Sequence, residues 1–450
     1  MKRLLIIGGG IAGLSAAWAA SRANAELEIT LVERDERLGG KIRTDMVDGF
    51  LLEQGPDSFL TTRPEALELS EELGIAGRLV PRTPRKLHSL IMHGHALSPL
   101  PDGFSGMVPM DTAALAVSPL LSESGRRRAL EQQPLPASRD GEDESVASFM
   151  VRRFGEEAFQ LLVEPLVGGI HAGDASLLSR EAVLQAPRAS SEPGTEGKPP
   201  FLTFPRGTAE LVQALEARLS GITVLRGTGA ESVRRSRSGY LVEVSGARRC
   251  ETDALIIAAP AHETARLVAP LDAGMQELLG LIPFASTVVI HLAYRRSDVS
   301  HALDGYGYLI PSVEHSDLVA CTWTSQKWAG RAPDDHVLLR LMAGRFGRRD
   351  LLGRSDEELF ELASAELSAT LGITAAPVLQ RLHRWDMGMP QYTVGHVRRV
   401  DAINARAAAF PGLFLAGASY GGVGIPQCVE SGTRAAAAAC GYLAKQGVHT

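Results

Sequence analysis

Lys2-Arg3-Leu4-Leu5-Ile6-Ile7-Gly8-Gly9-Gly10-Ile11-Ala12-Gly13 opens a stretch that runs to Glu33 as KRLLIIGGGIAGLSAAWAASRANAELEITLVE. The apolar run at residues 4–7 reads as a buried parallel strand. Gly8, Gly10 and Gly13 follow in the spacing G-x-G-x-x-G, and residues 11–23 are rich in alanine, a strong helix former. Residues 27–32 read as a second strand ending at Glu33. Gly8 permits a tight strand-to-helix turn, Gly10 lets a pyrophosphate approach the backbone, and Gly13 brings the helix close to the strand. The helix start offers unpaired N–H groups and partial positive charge to phosphates. Glu33 can accept hydrogen bonds from a ribose diol. Strand, glycines, helix, strand and acid in register predict a dinucleotide site. Residues 4–21 carry no charge and follow Lys2-Arg3, which also resembles a targeting segment or membrane span. The three consecutive glycines and the amphipathic strand that follows argue against that reading.

NAD, NADP and FAD all fit such a unit. Glu33 disfavours NADP by repelling a 2′-phosphate. Beyond the acid, Arg34 is followed by Arg37-Leu38-Gly39-Gly40-Lys41-Ile42-Arg43, then by Glu53-Gln54-Gly55-Pro56-Asp57-Ser58-Phe59. This extended arm resembles that of amine-oxidase-like flavoproteins and favours FAD.

The 450 residues suffice for two or three domains. With 46 Lys+Arg against 52 Asp+Glu the net charge is −6, which argues against a nucleic-acid binder. Cys250, Cys321, Cys428 and Cys440 form no C-x-x-C pair, so neither a disulfide framework nor a zinc site is expected, and a reducing cytoplasm is the default.

Along the chain, residues 64–73 predict a helix ended by Gly74, and residues 88–92 and 96–99 a hairpin turning at His93-Gly94-His95. The His-x-His there lacks a third ligand nearby, so no metal is expected. Residues 99–136, with Arg126-Arg127-Arg128, suit a solvated helical connection better than a peripheral membrane patch. Residues 139–145 form a charged loop whose Ser145 can cap a helix over 146–154. A further helix over 156–163 should end before Pro165. Residues 187–200, PRASSEPGTEGKPP, predict a mobile loop. Residues 207–219 read as helix; 223–225, 230–234, 240–244 and 255–261 as strands, the last closing in a proline turn. Residues 288–294 and 337–342 suggest a second sheet, and 355–371 a helix with Ser355, Glu357 and Glu358 at its start. A strand at 413–416 then meets a second glycine turn, Gly417-Ala418-Ser419-Tyr420-Gly421-Gly422-Val423-Gly424-Ile425-Pro426, before a helix over 427–443. A helix start aimed at a flavin pyrimidine stabilises negative charge on the reduced ring.

With both glycine turns in hand, residues 2–443 resemble the flavin-dependent porphyrinogen oxidases of haem synthesis. The carrying stretches are residues 8–13, 33–41, 53–59, 145–174 (SVASFMVRRFGEEAFQLLVEPLVGGIHAGD), 203–215, Arg384-Trp385, 389–396 (MPQYTVGH) and 417–432. The first two belong to the wider flavoprotein superfamily; the others are more specific. The resemblance implies an α/β fold: a Rossmann-like FAD domain, a mixed-sheet substrate domain and a helical insertion. It divides the chain into a discontinuous FAD domain (1–60, 203–275, 400–450), a substrate domain (61–99, 276–399) and a helical domain (100–202). It implies non-covalent FAD contacted by Gly8, Gly9, Gly10, Ile11, Ala12, Gly13, Glu33, Arg34, Gly40, Lys41, Gly55, Pro56, Asp57, Ser58, the backbone of Ala230, the indole of Trp385, and Val423, Gly424 and Ile425. It implies six-electron oxidation of a porphyrinogen, with O2 as acceptor and peroxide as product. A downstream ferrochelatase is the implied partner. The soluble character and GASYGGVGIPQC favour coproporphyrinogen III over protoporphyrinogen IX. Arg63, Arg85, Lys86, Arg152 and Arg153 are candidates to meet its propionates. No acid–base pair stands out as catalytic. Two departures concern the cavity: residues 187–200 are shorter and more polar than the family's usual counterpart, and where family members often carry a basic residue in the first strand of the hairpin only His88 and Ser89 stand, with Arg85 and Lys86 just before. An amine oxidase fits less well, because Pro283 to Ile290 holds no lysine and Gly417 to Pro426 no cysteine for a covalent flavin.

Overall fold

The computed structural model describes residues 1–23, 26–131, 143–184 and 199–447. A five-stranded parallel sheet runs in the order Thr223–Leu225, Glu28–Val32, Arg3–Ile7, Ala254–Ile257, Leu413–Leu415. Because side chains alternate across a strand, Leu4 and Ile6 face one core and Leu5 and Ile7 the other. The first core is closed by helices Ile11–Ala23 and Ile425–Gly447. The second is covered by the antiparallel strands Ala230–Arg235, Tyr240–Val244 and Arg248–Thr252, through Val233 and Val242. Strands buried on both faces must be apolar throughout, which explains the unbroken run at residues 4–7.

A second, seven-stranded sheet runs in the order Leu379–Pro390, Phe284–Arg295, His336–Ala343, Leu318–Trp323, Gly307–Leu309, Ser89–His93, Ala96–Pro99. It is mixed: Gly307–Leu309 pairs parallel with Ser89–His93, and the other pairs are antiparallel. One face packs Leu90, Ile290 and Leu339 against Leu359, Ala363 and Leu367 of helix Asp356–Leu371. Ile91, one residue from Leu90, turns instead to a helical core with Phe149, Met150 and Leu162. Ser355 and Glu358 close the helix start reciprocally, as a capping box. Ser145 likewise caps Val146–Phe154 by accepting from Ser148 N at 3.1 Å.

Three expected boundaries are corrected. The helix over 156–163 does not stop before Pro165: a π-turn at Phe159–Val163 leads directly into Glu164–His171. Pro165 occupies the first turn of that helix, where no backbone N–H is required. The strand read over 255–261 ends at Ile257, and helix Ala261–Val268 begins at its last residue, whose N–H is held by Ser419 Oγ at 3.0 Å. The C-terminal helix starts at Ile425 rather than Gln427, with Gly424 O accepting from Cys428 N at 3.0 Å. The loop read over 187–200 lies outside the described residues up to 198, as does the charged loop at 139–145 up to 142.

Candidate flavin and substrate site

The two glycine turns and the arm between them converge. Strand Arg3–Ile7 ends where an added Cβ at Gly13 would stand 1.8 Å from Gly8 O, so only glycine allows this crossing. At Gly10 the same Cβ would meet no atom within 4 Å. The backbone therefore borders open space where a pyrophosphate approaches a helix start. Ile11 and Ala12 form the first helical turn and are buried. Glu33 accepts from Gly9 N at 2.6 Å and Asp35 N at 2.8 Å, which fixes its carboxylate at the strand end. Arg34 is exposed, 3.5 Å from Glu263, and its stem lies beside Gly229. Ala230 follows, with its carbonyl accepting from Arg266 at 2.8 Å.

Gly39 N donates to Gly9 O at 2.8 Å, which lays residues 39–41 along the glycine turn. Gly40 approaches Gly10 closely, and a Cβ on Gly55 would stand 1.9 Å from Lys41 O. Burial lowers the pKa of Lys41, which the neighbouring Cys428 thiol partly opposes. Lys41 makes no ion pair among the described residues. A desolvated ammonium without a carboxylate, next to open backbone, fits an anionic group.

Asp57 is committed elsewhere. Its carboxylate accepts from Lys327 Nζ at 2.7 Å and Trp328 Nε1 at 3.1 Å. Burial alone would push this carboxyl up; Lys327 and Arg340 overrule it and hold it well below the usual carboxylate range. Arg340 also donates to Gly55 O at 2.6 Å. Ser58 Oγ donates to Asp57 Oδ1 at 2.8 Å, and Pro56 O accepts from Thr208 at 3.0 Å. Asp57 pins the arm to the short helix Thr324–Lys327 and Arg340 pins it to the second sheet, so what residues 55–58 can offer a cofactor is mainly backbone. Trp385, on the edge strand Leu379–Pro390, donates to Gln54 O at 2.7 Å and is half-buried. Val423, Gly424 and Ile425 stand at the start of the C-terminal helix, whose Cys428 faces Lys41. The positions expected to hold the cofactor therefore line one continuous track, from Glu33 and Ala230 through Gly10 and Lys41 to Gly55, Trp385 and Gly424. They fit FAD.

The expected propionate partners fare differently. Arg152 is paired with Glu144 by two 2.7 Å bonds. Arg63 lies 3.9 Å from Glu430, Arg85 donates to Gln326 O at 3.0 Å, and Arg153 lies over the Phe154 ring. Lys86 is exposed. Sequence reading missed Arg82. Its guanidinium lies 4.6 Å from the ring centroids of both Phe201 and Tyr306. Burial lowers its pKa, and it forms no hydrogen bond or ion pair among the described residues. Two aromatic rings therefore neighbour a guanidinium whose N–H groups have no acceptor among the described residues. Nothing in local sequence marks this residue, because its two rings come from distant segments.

Comparison with known proteins shows the family. The model of the family described as flavin containing amine oxidoreductase matches residues 11–440. Coproporphyrinogen III oxidase of Bacillus subtilis is 33% identical over 98% of each chain. Protoporphyrinogen oxidase 1, chloroplastic, of Arabidopsis thaliana is 27% identical over 95% of this chain and 86% of its own. A crystal structure from Exiguobacterium sp. 255-15 superposes with a TM-score of 0.85 at 30% identity over 98% of each chain. The chain belongs to the flavin-containing amine oxidoreductases and, within them, to the porphyrinogen oxidases.

Proposed function

We propose that this protein oxidises coproporphyrinogen III to coproporphyrin III in haem biosynthesis, a six-electron reaction with O2 as acceptor and H2O2 as product. The observation that carries the reading is the full-length 33% identity with the Bacillus subtilis enzyme. FAD, when bound, accepts two electrons at a time, so three rounds complete one porphyrin. The chain's own residues supply binding and orientation. Gly10 leaves room for the pyrophosphate and Lys41 supplies the cation beside it. Glu33 receives the ribose hydroxyls, with Arg34 and Ala230 beside the nucleotide. Residues 55–58, Trp385 and residues 423–425 surround the flavin end. The helix start at Ile425 stabilises negative charge there. Arg82 is a candidate for a substrate carboxylate, since a guanidinium fork packed against two rings and lacking an acceptor loses little freedom on pairing.

The proposed division has a FAD part (1–60, 203–275, 400–450), a substrate part (61–99, 276–399) and a helical part (100–202). No described helix is long and apolar enough to cross a membrane; a cytoplasmic location and supply of product to a ferrochelatase are part of the proposal. The deciding experiment is side-by-side steady-state oxidation of coproporphyrinogen III and protoporphyrinogen IX, followed by porphyrin fluorescence. A higher kcat/KM for the former is expected. The Arabidopsis relative favours protoporphyrinogen as the second reading, which the reverse ratio would establish. Oxidation of neither would overturn both.

A further inference from the structure

The segment MPQYTVGH meets two surfaces at once. The Tyr392 hydroxyl, buried in the interior, donates to Ala418 O and accepts from Gly422 N at 2.9 Å. It thereby spans both sides of the turn that precedes the helix at Ile425. The adjacent Gln391, 1% exposed, points its amide the other way and donates to His171 O at 2.8 Å. Its backbone N–H donates to Pro283 O at 2.8 Å. The following residues are stitched to the same helical region: Ser179 N donates to Tyr392 O at 2.7 Å, and Val394 N to Leu177 O at 2.9 Å. His396 stacks on the Tyr392 ring at 4.1 Å and fixes its plane.

We propose that Tyr392 is a positioning residue for the cofactor: it sets the turn that faces the flavin pyrimidine, while the adjacent Gln391 holds the 168–174 segment through His171 O. The inference rests on the reading that residues 423–425 face the flavin. Loop turns containing Gly421 and Gly422 are conformationally permissive, so their shape must come from outside. Here the Tyr392 hydroxyl satisfies one donor and one acceptor of the turn at its Gly422 end. Removing it leaves the half-buried Ala418 carbonyl and Gly422 N–H without that partner, and the turn relaxes to re-form those bonds. The Gln391 amide acts on a different backbone, so the two losses separate in their effects.

The test uses the full-length holoenzyme with Tyr392→Phe and Gln391→Met, both close in volume to the parent. Tyr392→Phe is expected to shift the flavin reduction potential and visible absorption, weaken FAD binding about tenfold and lower kcat with little change in KM. Gln391→Met is expected to lower Tm while leaving the flavin potential and spectrum at parent values, because its lost bond is to His171 O and not to the turn. Ser431→Ala is the structural control. It removes a buried bond to Gly417 N, 3.0 Å, at the other end of the same turn, and should lower Tm without moving the flavin potential. Tyr392→Phe with parent potential, spectrum and FAD affinity would overturn the proposal, as would a Gln391→Met enzyme whose flavin moves as much. Parent protein that binds no FAD would instead remove the reading beneath it, and flavin content is measured first for that reason. If Tyr392→Phe yields no folded protein, amide hydrogen exchange on the parent decides. Residues 418–425 should gain protection with FAD while 168–174 stay at their unliganded level; the absence of such a split counts against the proposal.

Discussion

A single atom of space decides the cofactor step. Gly10 is the position in the first turn where a side chain meets nothing in the protein itself. Gly10→Val should therefore fold and fail to hold FAD, because its branched side chain takes the volume of the pyrophosphate. Flavin content per folded chain checks this: near zero is expected, and parent stoichiometry would count against the site. Arg82 is the other residue whose environment speaks for itself. A guanidinium stripped of part of its water and given no acceptor is stabilised when a carboxylate arrives. Arg82→Gln should raise KM for coproporphyrinogen III roughly tenfold and leave the flavin spectrum unchanged. A parent KM would return Arg82 to the role of a surface cation stacked on Tyr306.

At the scale of elements, the tightest join is between the first helix and the last. A Cβ on Gly432 would stand 2.0 Å from Ala12 O, so Ile425–Gly447 and Ile11–Ala23 touch backbone to backbone. Both helices begin at the proposed cofactor track, one at each glycine turn, and their contact fixes the distance between the two starts. Gly432→Ala should cost about 1–3 kcal/mol of stability and loosen FAD binding, read as a lower Tm and faster flavin loss on dilution. The buried Glu164–Arg345 pair, 2.6 Å apart, plays the equivalent part for the helix that follows the π-turn. Glu164 also accepts from Ser312 N at 2.9 Å. Removing its charge strands Arg345 against Gly168, so Glu164→Leu should destabilise by about 3–5 kcal/mol, measured by denaturant unfolding.

For the molecule as a whole, buried histidines set the response to acid. Burial depresses His291 to about 3, and His171 and His396 to about 4. The unfolded chain takes up these protons near pH ~6.5 and the folded chain does not. Stability is therefore highest above that value and falls as pH drops from about 6.5 towards 4. Asp57 adds a loss at lower pH, because its depressed carboxyl contributes only while ionised. Tm measured from pH 7 to 4.5 should fall steadily, and His291→Leu should flatten the slope; a flat parent profile would contradict the account. FAD should be released completely by acid precipitation, consistent with a non-covalent cofactor, and flavin retained in the pellet would contradict that.

Residues 2–33 by themselves determined the dinucleotide turn, because every requirement there is local: an apolar run, glycines at fixed spacing, a helix former and a placed acid. The second glycine turn was legible for the same reason, and so were the Ser145 and Ser355 caps. Element ends were less so. Pro165 reads as a helix stop in isolation, and only the π-turn before it shows that no N–H was needed. Asp57 reads as a cofactor ligand within its motif. Its partners Lys327, Trp328 and Arg340 come from about three hundred residues later, and their charges claim it. Arg82 likewise carries no local mark, and Gln391 and Tyr392 stand out only through the resemblance of residues 389–396, since their partners are rings and backbone groups from distant segments. What the sequence determined is what short-range sterics and periodicity dictate. What the tertiary structure decided is which buried polar groups meet, and that depends on contacts between residues far apart in the chain.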